Sequence, residues 1–217
     1  MHTKTAIAST LAALALASNS HAQVLINGSL TGPPTVGSVP TGWSVWTNTP
    51  DTVDLPGPFN NTGTPWTASP DGGTFVRGGA STATSESFSQ IVTGFSVGQT
   101  YQIDFFTTNL GFYSPTSGAW IGADGYWDFH IDGAMYASST VLSKPTASTD
   151  SIVWNTESFT FVAANAVLEL GFAARLSGSG SVISYMGIDG IRLTQVPAPG
   201  ISAFLGGLAM FTRRRRA

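Results

Sequence analysis

Between Gln23 and Gln195 the chain consists of short apolar runs, rich in β-branched and aromatic residues, that are separated by clusters of Gly, Pro, Asn and Ser. The run Tyr101–Phe105 alternates, so that every second side chain points to the same face. No segment in this range has the 3.6-residue period of an amphipathic helix. This pattern predicts an all-β fold, built as an antiparallel β-sandwich or jelly roll.

One strand pair is indicated in detail. Residues 126–131 alternate, with Trp127 and Phe129 on the apolar face, and Asp132-Gly133 follows directly. An Asp-Gly pair between alternating runs predicts a two-residue hairpin turn. Further strands are predicted over 158–162, 166–172 and 183–193.

The first 22 residues have the organisation of a secretory signal peptide. Lys4 precedes an apolar stretch over 6–17, and Ser20-His21-Ala22 supplies small residues at the two positions that a signal peptidase inspects. Twelve apolar residues are too few to span a hydrocarbon layer of about 30 Å. We therefore expect a short signal helix, cleavage before Gln23, and signal peptidase and the secretion machinery as partners.

The last 22 residues contain three elements in order: a Pro-rich motif, an apolar run over 201–211, and the arginine block 213–216. This order predicts a short hydrophobic helix that enters the membrane transiently, because arginines resist transfer through hydrocarbon and stay on the cytoplasmic side. The alternatives are a disordered basic tail or a nucleic-acid contact. The predicted division of the chain is thus 1–22, a body over 23–195, and a tail over 196–217.

This tail resembles the PEP-CTERM sorting tail of exopolysaccharide-producing Gram-negative bacteria. The residues that carry the resemblance are Val196, Pro197, Ala198, Pro199, Arg213, Arg214, Arg215 and Arg216. Ala198 stands where that family usually has Glu. The resemblance implies sorting by an exosortase-like membrane enzyme, and a location in the cell envelope, at the outer surface or in the extracellular matrix, associated with exopolysaccharide or biofilm.

The composition of the body limits its partners. It has no cysteine, which excludes disulfides, thiolate metal sites and a cysteine nucleophile. All twelve acidic residues lie in the body, against four of the nine basic ones, so the body is strongly acidic. Because nucleic-acid phosphates require Lys and Arg, we expect no nucleic-acid partner.

The body also resembles galactose-binding-like jelly rolls, a fold shared by many carbohydrate-binding modules. The matching segments, in chain order, are 25–30, 41–43, 70–73, 90–92, 98–101, 154–156, 159–161 and 187–191. The resemblance implies a structural calcium site that uses Asn27 and Asp189, since calcium prefers oxygen ligands. Thr31 stands where the family usually has an acidic ligand. No other cofactor is expected.

Candidates for catalysis are few. His130 is the one histidine of the body and shares a predicted strand face with Asp128 and Asp132, which suits either a metal or acid–base site or a solvated polar face. The chain has no Gly-x-Ser-x-Gly motif. A glycosidase needs two facing carboxylates, and spacing does not choose a pair from Asp124, Asp128, Glu157 and Glu169. These observations predict a protein that is not an enzyme.

Aromatic side chains in the predicted loops are candidates for sugar binding, because exposed rings stack on pyranose faces. The candidates are Trp46, Trp66 and Trp120, for which loop packing is an equal alternative, whereas Trp43 and Trp127 are expected in the core. We therefore expect a non-enzymatic exported envelope or matrix protein. The alternatives are a carbohydrate-binding, lectin-like module and a secreted glycan hydrolase.

Overall fold

A computed structural model describes residues 24–55, 66–114, 116–147, 149–179 and 182–197. Within these ranges the chain forms only antiparallel strands and no helix, which confirms the predicted all-β antiparallel class. The strands are β1 (Ser44–Thr47), β2 (Asp51–Val53), β3 (Phe75–Ala80), β4 (Ser87–Thr93), β5 (Thr100–Asn109), β6 (Phe112–Ser114), β7 (Ala119–Ile121), β8 (Gly125–Ile131), β9 (Ala134–Ser138), β10 (Asn155–Val162), β11 (Val167–Leu176) and β12 (Ser184–Gln195).

The strands are arranged in two five-stranded sheets and one small hairpin. The first sheet has the order β1-β4-β11-β8-β9, the second sheet has the order β10-β5-β12-β3-β2, and β6 pairs with β7. The predicted helices over 1–22 and beyond Pro199 lie outside the described residues. In the described part of the chain, no helix has the length and apolar character needed to cross a membrane.

The main core lies between the facing sheets and follows the predicted alternation. Tyr101, Ile103 and Phe105 of β5 are buried. Phe172 of β11 packs against Phe105 with ring centroids 5.2 Å apart, across the two sheets. Trp127 is fully buried and its Nε1–H donates to the Gly187 carbonyl oxygen of β12 at 3.1 Å. This bond ties the first sheet to the second, and Trp43 joins the same core, as predicted.

The predicted hairpin is present between β8 and β9. Asp132 and Gly133 have φ values of 49° and 79°, and Ile131 pairs with Ala134 across the turn. Two consecutive residues at positive φ define the turn whose twist matches antiparallel strands, which explains the Asp-Gly pair.

A second, smaller core covers the outer face of the second sheet. It consists of buried apolar side chains from β2, β3, β7 and the adjoining loops: Val53, Trp66, Phe75, Leu110, Trp120 and Ile152. Between Thr31 and Asp71, the described residues contribute β1, β2 and Trp66, which belong to the two sheets and the second core.

Candidate functional site

The outer face of the first sheet brings together two residues that the sequence analysis considered separately. Trp46 of β1 lies with its ring edge-on to His130 of β8, with centroids 5.1 Å apart and planes at 84°. Gly171 of β11 lies beneath the indole, where a Cβ atom would be 3.0 Å from the ring. A larger residue at 171 would displace Trp46, so the glycine allows the indole to pack directly against the backbone of β11.

Polar side chains surround this tryptophan. Arg175 Nε donates to Asp128 Oδ2 at 2.6 Å, and the Ser138 hydroxyl donates to Asp128 Oδ1 at 2.6 Å. A cavity of about 170 Å³ opens among these elements; it is lined by Trp46, Thr47, Ser85, Ser87, His130, Ala173 and Arg175. We call this cavity the Trp46 groove. It combines one half-buried aromatic ring with hydroxyl, guanidinium and imidazole groups, the usual composition of a site for a polyhydroxylated ligand.

The groove continues along β4 and β11. Ser89 donates from its hydroxyl to Glu169 Oε1 at 2.7 Å, and Ser89 pairs in register with Gly171. The Glu169 amide in turn donates to Asp132 Oδ1 at 2.9 Å. The polar strip therefore runs past the Trp46 ring towards the β8–β9 turn.

His130 is buried, which corrects the interpretation of its strand face as solvated. Its side chain is covered by Trp46, which comes from β1 and was not predicted to reach β8. Burial lowers the pKa of His130, against the opposing effects of the Gly133 carbonyl and Asp128. The imidazole is therefore neutral at neutral pH, and its buried Nε2 has no hydrogen-bond partner among the described residues.

A metal site around His130 finds no support in the arrangement of its neighbours. Asp128 is engaged by Arg175 and Ser138. Asp132 Oδ1 accepts the Glu169 amide. Across the described ranges, no group of three or more His, Cys, Asp and Glu side chains is placed to hold a metal ion.

The other two tryptophans considered for sugar binding are buried, which favours the loop-packing alternative for both. Trp66 and Trp120 are 7% and 6% exposed and belong to the second core. Their Nε1–H groups donate to the carbonyl oxygens of Leu110 and Ala147, each at 3.0 Å. Both rings pack in the interior because the second core covers the outer face of the second sheet. Neither presents a face to a ligand.

The calcium site implied by the family resemblance fits the structure at one of its two residues. Asp189 is fully buried, and neither carboxylate oxygen accepts a hydrogen bond of ordinary geometry from the described residues. Burial raises its pKa to about 7, against the opposing effects of the Ser69 hydroxyl and the Gly190 amide. A buried carboxylate that accepts no hydrogen bond of ordinary geometry is a suitable cation ligand.

Asn27 does not fit the same role through its side chain. Its Oδ1 accepts the Thr31 amide at 3.0 Å, and its Nδ2 donates to the carbonyl oxygens of Thr31 and Thr41 at 2.9 Å each. The structure does bring this segment to β12, since the Ile191 amide donates to the Gly28 carbonyl at 2.8 Å. Asn27 therefore shapes the loop beside Asp189, and the pair as predicted is not a complete ligand set.

The acidic residues considered for glycoside hydrolysis each have a local partner. Asp124 accepts the Lys144 amide at 3.1 Å, and Glu157 accepts the Thr140 amide at 2.9 Å. Asp128 and Glu169 are held within the first sheet as described above. Their contacts explain their positions without a facing pair.

No protein-family model matches this chain, and no curated protein matches it by sequence. Among solved structures it is similar to a cyclase from Fischerella sp. TAU, determined in complex with 4-(1H-indol-3-yl)butan-2-one. That match has 14% identity and a TM-score of 0.56 and covers 82% of this chain and 98% of the cyclase. At this identity the likeness shows a shared fold alone.

Two further similar structures belong to proteins that bind sugars. One is TmCBM61 in complex with β-1,4-galactotriose, at 15% identity and a TM-score of 0.42, covering 72% of this chain and 90% of that one. The other is the EclA C-terminal domain, described as a sugar-binding protein, at 19% identity and a TM-score of 0.34, covering 49% and 64%. The structural neighbours thus include sugar-binding proteins as well as enzymes.

Proposed function

We propose that this protein is a non-enzymatic, exported envelope or matrix protein whose jelly-roll β-sandwich body binds a polysaccharide in the Trp46 groove. The observation that carries the proposal is the half-buried Trp46 ring, seated on Gly171 and bordered by His130 and the Arg175–Asp128 pair. The indole offers an apolar face to the C–H surface of a pyranose, and the surrounding polar groups suit its hydroxyls. In this proposal, carbohydrate binding is the molecular activity of the envelope protein, so the first hypothesis and the lectin-like alternative are combined.

Export and sorting complete the proposal and rest on the two ends of the sequence. The N-terminal segment supports secretion, and the Pro motif, apolar run and arginine block support handling by an exosortase-like enzyme at the membrane of a Gram-negative-type bacterium. The fold supports this division of roles at one point. The Val196 amide donates to the Thr100 carbonyl at 2.9 Å, so the first residue of the tail is bound to the first residue of β5.

Replacing Trp46 by Ala is expected to weaken polysaccharide binding by about tenfold or more, because an aromatic anchor at the centre of a contact carries much of its binding energy. The measurement is affinity electrophoresis and pull-down of the full-length protein over a panel of neutral and charged polysaccharides. Val45→Ala is the matched control, since Val45 is the neighbouring residue on β1 and 41% exposed. Equal loss in both variants, or retention by Trp46→Ala, would contradict the proposal.

Replacing the arginine block 213–216 by alanines is expected to misplace the protein in its native host, because a neutral end no longer stops at the cytoplasmic face of the membrane. Cell fractionation, with mass spectrometry of the native C-terminus, measures this outcome. The same positions changed to lysine keep the charge and should restore both location and processing. An alanine variant that is located and processed like the wild type rules out the sorting role.

A further inference from the structure

A second cavity lies beside the Trp46 groove, around the edge of the sandwich, since Asn48 and Glu86 line it and their chain neighbours Thr47 and Ser85 line the groove. It has a volume of about 380 Å³ and opens on the outer face of the second sheet, where β2, β3 and β12 meet the loops before β2 and β4. Its walls include Val36, Asn48, Thr49, Glu86, Ile183 and Tyr185. We call it the Glu86 pocket. Its size is sufficient for one sugar ring.

The floor of the Glu86 pocket is a buried ion pair. Arg77 Nη1 donates to Asp51 Oδ2 at 2.7 Å, and the two residues are 7% and 3% exposed. Asp51 Oδ1 also accepts the Gly37 amide at 2.8 Å. The Arg77 guanidinium lies 4.4 Å from the centroid of the Tyr185 ring. These contacts hold the charges of Asp51 and Arg77 against each other, so the pair contributes little net charge to the cavity.

Glu86 adds a negative charge to the cavity, because the Asp51–Arg77 pair is neutral overall. Its Oε2 accepts the Gly79 amide at 2.6 Å and its Oε1 accepts the Thr49 hydroxyl at 3.3 Å, which fixes the carboxylate in the wall. Burial raises the pKa of Glu86, and Asp51 raises it further, against the opposing effects of the Gly79 amide and Arg77. Burial thus outweighs these contacts for the ionised carboxylate, and a cationic ligand in the pocket would add stabilisation.

The rim of the pocket is apolar. Val36 and Ile183 are 61% and 38% exposed, and the half-buried Tyr185 lies beside them. Asn48 and Thr49 add an amide and a hydroxyl. A matching ligand has a cationic group, hydroxyls and an apolar C–H face within the size of one ring. An anionic ring such as a uronic acid would instead place a second negative charge beside Glu86.

We propose that the Glu86 pocket binds an amino sugar through its free ammonium group, with Glu86 as the counter-ion and the Val36–Ile183 rim against the ring. The pocket has no lining residue in common with the Trp46 groove, although the two are adjacent along residues 47–48 and 85–86. The proposal therefore assigns a preference for the free amine to Glu86 and not to the polysaccharide contact at Trp46.

The test measures binding of three oligosaccharides of equal length to the full-length protein by calorimetry: a chitosan oligomer, the fully N-acetylated oligomer, and an oligogalacturonate. We expect the chitosan oligomer to bind at least about tenfold more tightly than the acetylated one, as for other charge-assisted hydrogen bonds, and the oligogalacturonate not to bind. Equal affinity for the two amino-sugar oligomers, or no binding of chitosan, overturns the proposal. This comparison needs no variant, so it stands even if a substitution impairs folding.

The Glu86→Gln variant tests whether Glu86 contacts the ammonium group, because its side-chain amide keeps an acceptor for the Gly79 amide but removes the negative charge. We expect it to abolish the preference for the free amine. Glu157→Gln removes the same charge from β10, outside the pocket, and should leave affinity within about twofold, which controls for general attraction of a polycation to an acidic protein. Trp46→Ala should keep the preference, which distinguishes failure here from failure of the Trp46 groove. Retention of the preference in Glu86→Gln, or equal loss in Glu157→Gln, refutes the assignment.

Discussion

Replacing Asp51 by Ala is expected to lower the free energy of unfolding by about 3–5 kcal/mol, the usual loss when one partner of a buried ion pair is removed. Asp51 and Arg77 are nearly inaccessible to solvent, and their bond of 2.7 Å lies at the edge of the second sheet, where β2 pairs with β3. Without the carboxylate, the Arg77 charge stays in a poorly solvated position. The Gly37 amide also loses its acceptor.

Urea denaturation of the Asp51→Ala variant measures this loss. Arg192→Ala is the comparison, since it breaks an ion pair whose arginine is 62% exposed although Asp71 is 9% exposed, and it should lose less stability than Asp51→Ala. A double variant, Asp51→Leu with Arg77→Met, should lose much less than the two single changes together, because both charges leave the interior. A loss below about 1 kcal/mol for Asp51→Ala would show that the pair is solvated in solution.

The second large effect concerns Asp189 and depends on pH. Burial raises the pKa of this carboxyl from its ordinary value of 3.8 to about 7. The folded protein therefore binds the proton more tightly than the unfolded chain. The resulting contribution of Asp189 to the free energy of unfolding is fully present below about pH 4. It declines as the pH rises through about 7 and is lost above that. The shift corresponds to a penalty of up to about 4 kcal/mol at pH 8 in the absence of a cation.

Asp189→Asn cannot ionise and should avoid this penalty. We expect it to equal the wild type at pH 4 and to exceed it in unfolding free energy at pH 8, with a chelator present, as measured by denaturation at several pH values. An Asn variant that is the less stable protein at pH 8 would contradict this account. Calcium provides a second arm of the experiment. Stabilisation of the wild type by calcium, absent from Asp189→Asn, would identify Asp189 as a metal ligand, as the family resemblance implies.

Some features of this protein follow from the local pattern alone. The alternation in 126–131 placed Trp127 and Phe129 in the core, and the Asp132-Gly133 turn followed from the backbone geometry that a tight hairpin requires. These are short-range effects, decided by the two-residue period of a strand and by the φ values that each residue tolerates. The same two-residue period puts Leu168, Leu170 and Phe172 on one buried face of β11.

The sequence left Trp66 and Trp120 open between loop packing and sugar contact because burial of a loop residue depends on what covers it. Trp66 and Trp120 lie beneath a second core that forms on the outer face of the second sheet. Alternation within a strand distinguishes two faces, but it does not reveal that both faces are covered. A signal was present in the apolar residues at consecutive positions, since Phe75 and Val76 in β3 are both fully buried.

The sequence by itself determined the class of fold, the faces of its strands and the hairpin turn, because each depends on neighbours within a few residues. Tertiary structure alone decided the two candidate sites. Trp46, His130 and Gly171 meet because β4 and β11 lie between β1 and β8 in the first sheet, and Glu86 meets the Asp51–Arg77 pair because the segments before and after β3 fold over its outer face. Such contacts depend on strand order and register over long separations, and these are selected by the packing of the whole core.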